Sequence, residues 1–181
     1  MLQVNRVPEI LAALQFARQQ KIRVVLSEVA EGWKVAKVLA KSRIPVLLRD
    51  PTNLPFGFDH LNNRQDNAAL LYKAGVRFAF TGGGGAHHLR GIRHNIGIAV
   101  ANGLPHAAAL KALMSNVFSI FPKLGKRGRV KKGFIADLVL WNGDPLEVST
   151  HVKGLWISGR SIPLVSRQTL LRDRYRKLPG R

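Results

Sequence analysis

Residues 128–164 read GRVKKGFIADLVLWNGDPLEVSTHVKGLWISGRSIPL. Residues 138–141 and 155–157 are short apolar runs rich in strand-forming side chains, and Asn142-Gly143-Asp144-Pro145 between them is turn chemistry. The pattern predicts a small antiparallel sheet, with residues 152–157 as its second strand and Gly159-Arg160 as the turn that ends it. Asp137 and Asp144 lie beside strand or turn positions, where a short carboxylate bonds nearby amides. They are expected to be structural, not catalytic.

Upstream, the pattern changes to an alternation of helices and strands. Residues 8–21 place Ile10, Leu11, Leu14 and Ala17 on a helical stripe, with Pro8 where a first turn tolerates it. Residues 23–27 (RVVLS) predict a strand, residues 31–42 a helix around Trp33, Val35, Ala36, Leu39 and Ala40, and residues 45–48 a second strand ended by Asp50-Pro51. A loop over 52–64 leads to a helix over 65–74 and a third strand over 76–80, VRFAF; helices over 89–103 and 105–116 follow. Continuous apolar strands alternating with helices predict a parallel sheet covered on both faces, hence α/β architecture. Three strand–helix units are too few to close a (β/α)8 barrel, which takes about 250 residues.

Lys132-Gly133, Ala136-Asp137-Leu138-Val139 and Gly143-Asp144-Pro145-Leu146, followed in order by the second strand and Gly159-Arg160, resemble the closing β-module of the amidohydrolase superfamily, particularly its imidazolonepropionase-like branch. Pro45-Val46-Leu47-Leu48, Ala74-Gly75-Val76 and Ala99-Val100-Ala101-Asn102-Gly103-Leu104-Pro105 resemble the end of the barrel in that branch. The resemblance runs over residues 7–164. It implies an α/β chain made of the last strand–helix units of a TIM-type (β/α)8 barrel followed by a small C-terminal β-module. The expected organisation is a partial barrel over 1–121 with three βα units plus helices, the closing module over 122–164 and a basic tail over 165–181.

The resemblance also implies chemistry: a zinc or other divalent metal ion lowers the pKa of a bound water, and the water attacks a C–N bond. This sequence departs from that pattern at each strand end. It has no His-X-His pair; the strand ends Val4-Asn5-Arg6 and Leu26-Ser27-Glu28 lack histidine; and Phe80-Thr81-Gly82 lacks the closing Asp. No catalytic residue and no metal ligand is therefore assigned, no cofactor is expected in this chain alone, and hydrolysis by the chain alone is not expected. The strand edge left open is expected to take an N-terminal barrel half or a second copy of the chain. The alternative is a non-enzymatic basic protein that binds an anionic partner such as RNA.

The formal charge of +19 arises from 29 Lys and Arg against 10 Asp and Glu. An acid-free cluster comprises Lys123, Lys126, Arg127, Arg129, Lys131 and Lys132, and Arg160, Arg167, Arg172, Arg174, Arg176, Lys177 and Arg181 dominate the tail. Aromatic residues are not interleaved with these cations as single-strand stacking requires, so specific nucleic-acid recognition is not expected. With no cysteine there is neither a disulfide framework nor a thiolate zinc site. No apolar run approaches the roughly 20 residues that span a bilayer and no signal-like segment follows Met1, so a cytoplasmic protein is expected. One further loop could serve a ligand. Gly82 to Gly85 joins a strand to a helix and is followed by His87 and His88, which makes Gly83, Gly84, His87 and His88 the candidate ligand-binding positions. The same glycines serve equally as a tight connection. Glu28 and Glu31 flank another βα loop, where helix-start acids favour the dipole.

Overall fold

Leu2–Val4 (β1), Leu26–Glu28 (β2), Val46–Arg49 (β3) and Phe78–Thr81 (β4) pair in that order as one parallel sheet. The computed structural model describes residues 1–51, 55, 57–82, 89 and 91–176. Leu2, Leu26, Val46 and Phe78 are in register, so the strands reach their C-terminal ends together. Local pattern predicts three strands, Val4-Asn5-Arg6 enters only as a strand end that the resemblance implies, and the sheet has four. β1 is the addition, three residues long and too short to display a period of two.

The helices that alternate with and follow these strands are Val7–Gln19 (α1), Ala36–Ser42 (α2), Asn67–Lys73 (α3), Ile92–Ala101 (α4) and His106–Leu113 (α5), with Ser115–Ile120 (α6) after them. Ile10, Leu39, Leu71 and Ile96 are fully buried and belong to one core with Leu26, Val46, Leu48, Phe78 and Phe80. Leu11, taken from the sequence as part of the apolar stripe of α1, is exposed instead, and Ala13 takes its place. Two predicted helices are split. Over 31–42, a 3-10 turn at Gly32–Val35 precedes α2, and its first residue is a glycine whose Cβ would lie 2.7 Å from Val29 Cγ1. Over 105–116, the backbone of Met114 (φ −117°, ψ −84°) separates α5 from α6. Among the described residues, no helix is long and apolar enough to cross a membrane.

The second sheet is antiparallel: Leu138–Trp141 (β5), Val152–Ile157 (β6) and Arg160–Ser161 (β7), with an irregularity between Leu140 and Trp141. The turn expected to end the second strand follows Ile157, at Ser158-Gly159, and Arg160 already belongs to β7. Asp137 accepts from the Ser158 amide at 2.8 Å and Asp144 from the Leu146 amide at 2.9 Å, which is the structural role expected of both. Arg93 of α4 ties this sheet to the barrel layer. Its guanidinium donates to the carbonyls of Pro145 (2.8 Å), Glu147 (2.7 Å) and Thr150 (3.1 Å) and lies over the Trp141 ring. The last helix, Arg167–Tyr175 (α7), is opened by a Ser166–Thr169 capping box and buries no residue.

Candidate functional site at the strand ends

In a parallel strand–helix layer, side chains at the C-terminal ends of the strands converge on the ligand face. Here those ends carry Asn5 after β1, Glu28 on β2, Arg49 and Asp50 at the end of β3, and Thr81 on β4. Glu28 (φ 75°) and Val29 (φ 52°) both lie in the left-handed region, where a β-branched residue is strained by about 1–3 kcal/mol. Surrounding hydrogen bonds hold that backbone in place. The Val29 amide donates to the Val4 carbonyl at 2.8 Å, and Asn67 Nδ2 donates to the Val29 carbonyl at 3.0 Å. The strand thus stops abruptly, with the Glu28 carboxylate at the mouth.

Arg49 Nη1 donates to Glu28 Oε2 at 2.9 Å, and His60 Nε2 lies 3.6 Å from the same oxygen. His60 is buried, and its Nδ1 lies 2.8 Å from Asp59 Oδ1. Burial works to raise the pKa of Asp59, but hydrogen bonds from His60 and Asn5 and the charge of His60 hold it below the usual carboxylate range. Asp59 is therefore an acceptor, and the proton of that bond sits on His60 Nδ1. Asn5 Nδ2 donates to the other Asp59 oxygen at 2.7 Å. One polar chain, Asn5–Asp59–His60–Glu28–Arg49, thus joins three strand ends and the loop after β3. Beside it, Asn95 of α4 donates to Asp50 at 2.6 Å.

Glu31 anchors the neighbouring loop and is not a simple helix-start acid. Its carboxylate accepts from the Val7 amide (2.9 Å), from Lys34 (3.0 Å) and from Asn62. Burial opposes its ionisation, and these donors outweigh burial and lower its pKa. The ring of Trp33 lies under Lys34 and Arg64, 5.3 and 4.7 Å from its centroid, and Trp33 Nε1 donates to the Asn62 carbonyl.

Gly83, Gly84, His87 and His88 lie outside the described residues. Three further histidines have partners: His60 as above, His106 with Asp144 (2.7 Å), and His151 Nδ1 with the Ser149 carbonyl (2.6 Å). The site residues Asn5, Arg49, Asp59 and His60 were not singled out by sequence. The available signal was Arg49-Asp50, a charged pair closing the apolar run 45–48. Among the described residues, no group of three or more His, Asp or Glu side chains is disposed to hold a metal ion.

No protein-family model matches the chain. Amidohydrolase tasK of Hapsidospora irregularis is 37% identical over 57 residues, 32% of this chain and 6% of that protein. The crystal structure of an amidohydrolase from Thermotoga maritima MSB8 superposes with a TM-score of 0.83 at 26% identity, over 88% of this chain and 42% of that one. An adenosine deaminase from Xanthomonas campestris with bound zinc shares the fold at a TM-score of 0.52 and 16% identity, over 95% of this chain and 55% of that one. The chain thus spans less than two thirds of the length of each of these three proteins. The partial parallel barrel and its attached β-module are thus similar to a C-terminal portion of amidohydrolase structures.

Proposed function

We propose that this chain is the C-terminal part of a C–N bond hydrolase of the imidazolonepropionase-like kind, and that catalysis depends on an N-terminal barrel half, in the same polypeptide or in a separate one. The observation that carries this is the superposition on the Thermotoga amidohydrolase over nearly the whole chain but 42% of that enzyme. The zinc of such an enzyme would activate a water. The residues at these strand ends do not fit it: Asn5 and Thr81 stand at two of them, Glu28 already carries the Arg49 cation, and a zinc site needs three or four converging donors. No step is therefore assigned to a metal held by this chain. Its own residues do something else. They set the wall of the mouth, with the Asn5–Asp59–His60–Glu28–Arg49 chain fixing the strand ends against one another.

The test is hydrolysis of cyclic amides and imidazolones, with zinc supplied, by the chain alone and by the chain co-expressed with an amidohydrolase N-terminal half carrying His-X-His. Turnover is expected only in the second case. Stoichiometric zinc and turnover in the purified chain alone would overturn the reading.

One observation favours a second reading, an anion-binding protein. Lys123, Lys126, Arg129, Lys131 and Lys132 are all exposed, and Arg129, Lys131 and Lys132 line an open groove of about 260 Å³ floored by Phe134, Ile135 and Leu138. Binding to RNA through these cations must weaken steeply as salt rises, so salt-insensitive binding argues against it.

A further inference from the structure

An open groove of about 610 Å³ lies in the helical layer, apart from the strand-end residues. One wall is the 3-10 turn at Gly32–Val35 with the start of α2, and the other is the end of α3. Leu70, Lys73 and Ala74 follow one another at i, i+3 and i+4, and Lys34, Lys37 and Val38 keep the same spacing on the facing wall. Each wall therefore presents one stripe of side chains. Val35, Val38, Leu70 and Ala74 make the lining apolar, and Val38 is 47% exposed. Three lysines and, among the described residues, no carboxylate line the groove. Lys34 is tied to Glu31 at 3.0 Å, but among the described residues neither Lys37 nor Lys73 has a carboxylate partner.

We propose that this groove docks an amphipathic helix of an acidic partner protein, its apolar stripe on Val35, Val38, Leu70 and Ala74 and its carboxylates on Lys37 and Lys73. A helix laid in an apolar groove anchors through side chains at i, i+3, i+4 and i+7, the spacing that the walls themselves display. Charge complementarity selects the occupant, because the lining offers cations with nothing of their own fold to neutralise them. A second copy of this chain does not supply the carboxylates. Every Asp and Glu except Glu147 already accepts from a cation or another donor of its own fold. The net charge of +19 also sets copy against copy. The proposal uses none of the strand-end residues and does not rest on the hydrolase reading.

The probe is a fluorescent peptide of about 18 residues, with Leu at every third or fourth position and Glu between, titrated against the full chain by anisotropy. The acidic peptide is expected to bind, and the same peptide with Lys in place of Glu is not. Lys37→Glu/Lys73→Glu should weaken binding at least about 10-fold, whereas Lys37→Arg/Lys73→Arg should stay within about twofold of the parent. Val38→Asn, which changes no charge, should weaken it about fivefold. A basic surface attracts any polyanion, so Lys131→Glu/Lys132→Glu, equal in charge and set on the β-module, separates docking from general attraction and should stay within about twofold. All these positions are exposed, and circular dichroism checks that each variant keeps the native fold. Failure of the acidic peptide to bind the parent would overturn the proposal. So would equal losses in the two Lys→Glu pairs, or a Val38→Asn protein that binds like the parent. A parent that sediments as a dimer and is split by Lys37→Glu/Lys73→Glu would assign the groove to a second copy instead.

Discussion

His94, in the first turns of α4, has a buried Nε2 with no hydrogen-bond partner among the described residues. Burial, with Arg93 adding to it, lowers its pKa, so the folded protein prefers the neutral ring. The sign follows from proton counting. As pH falls through about 6.5, the unfolded chain takes up a proton that the folded chain refuses, and stability contributed by neutral His94 is lost. His94→Leu removes that linkage and an orphaned polar atom. Its unfolding free energy, measured by urea melts between about pH 7.5 and 5.5, is expected to fall less with acidification than the parent's; parallel pH profiles would show that His94 does not titrate this way. His94 could be found in the sequence but its burial could not. The same limit applies at the strand ends. Glu28 and Glu31 were legible as acids beside a βα loop, whereas Asn5 meets Asp59 across 54 residues of chain and Arg49 meets Glu28 across 21. Such pairings depend on strand register, which local pattern does not encode.

At the scale of elements, α4 is the hinge of the architecture because it packs on the barrel sheet with one face and holds the β-module with another. Ile96 and Ala99 are fully buried in the core, while Arg93 and Gly97 address the loop after β5. Gly97 is required there by close approach: a Cβ would stand 3.1 Å from the Leu146 carbonyl oxygen. Arg93→Ala removes three bonds to carbonyls and the stack on Trp141, and is expected to cost about 2–3 kcal/mol, the scale for losing hydrogen bonds from a charged donor. Arg93→Lys should recover only part of this, since one ammonium cannot span three acceptors through a planar fork. Denaturant melts measure both, and a loss below about 0.5 kcal/mol for Arg93→Ala would mean that Leu146 alone anchors the module. β5 and β6 were legible because period, turn residues and strand propensity agree over 138–157, and their spans match the sequence expectation. β1 was not. Three residues carry no period, and only their pairing with β2 makes them a strand.

For the whole molecule, charge and topology constrain what can complete the sheet. Among the described residues, no strand pairs with the outer side of β1 or of β4. The two edges differ. On β4 the Phe78 carbonyl, which faces away from β3, already accepts from Asn116 of α6 at 2.8 Å. On β1, the Leu2 amide donates to Val25 and the Val4 carbonyl accepts from Val29, so Gln3 between them turns its amide and carbonyl outward, and its residue is exposed. A second copy at this edge would set +19 against +19, whereas an acidic barrel half would relieve the repulsion. The expected completion is therefore heterologous and runs through β1. Gln3→Pro tests it, because proline removes only the outward donor and an edge strand tolerates it. Its melting should match the parent's within about 0.5 kcal/mol, while co-purification with a co-expressed N-terminal half should be lost. Gln3→Ser keeps the amide and should co-purify normally. If Gln3→Pro retains the partner half as firmly as Gln3→Ser does, the halves do not join through β1 and the barrel is completed elsewhere.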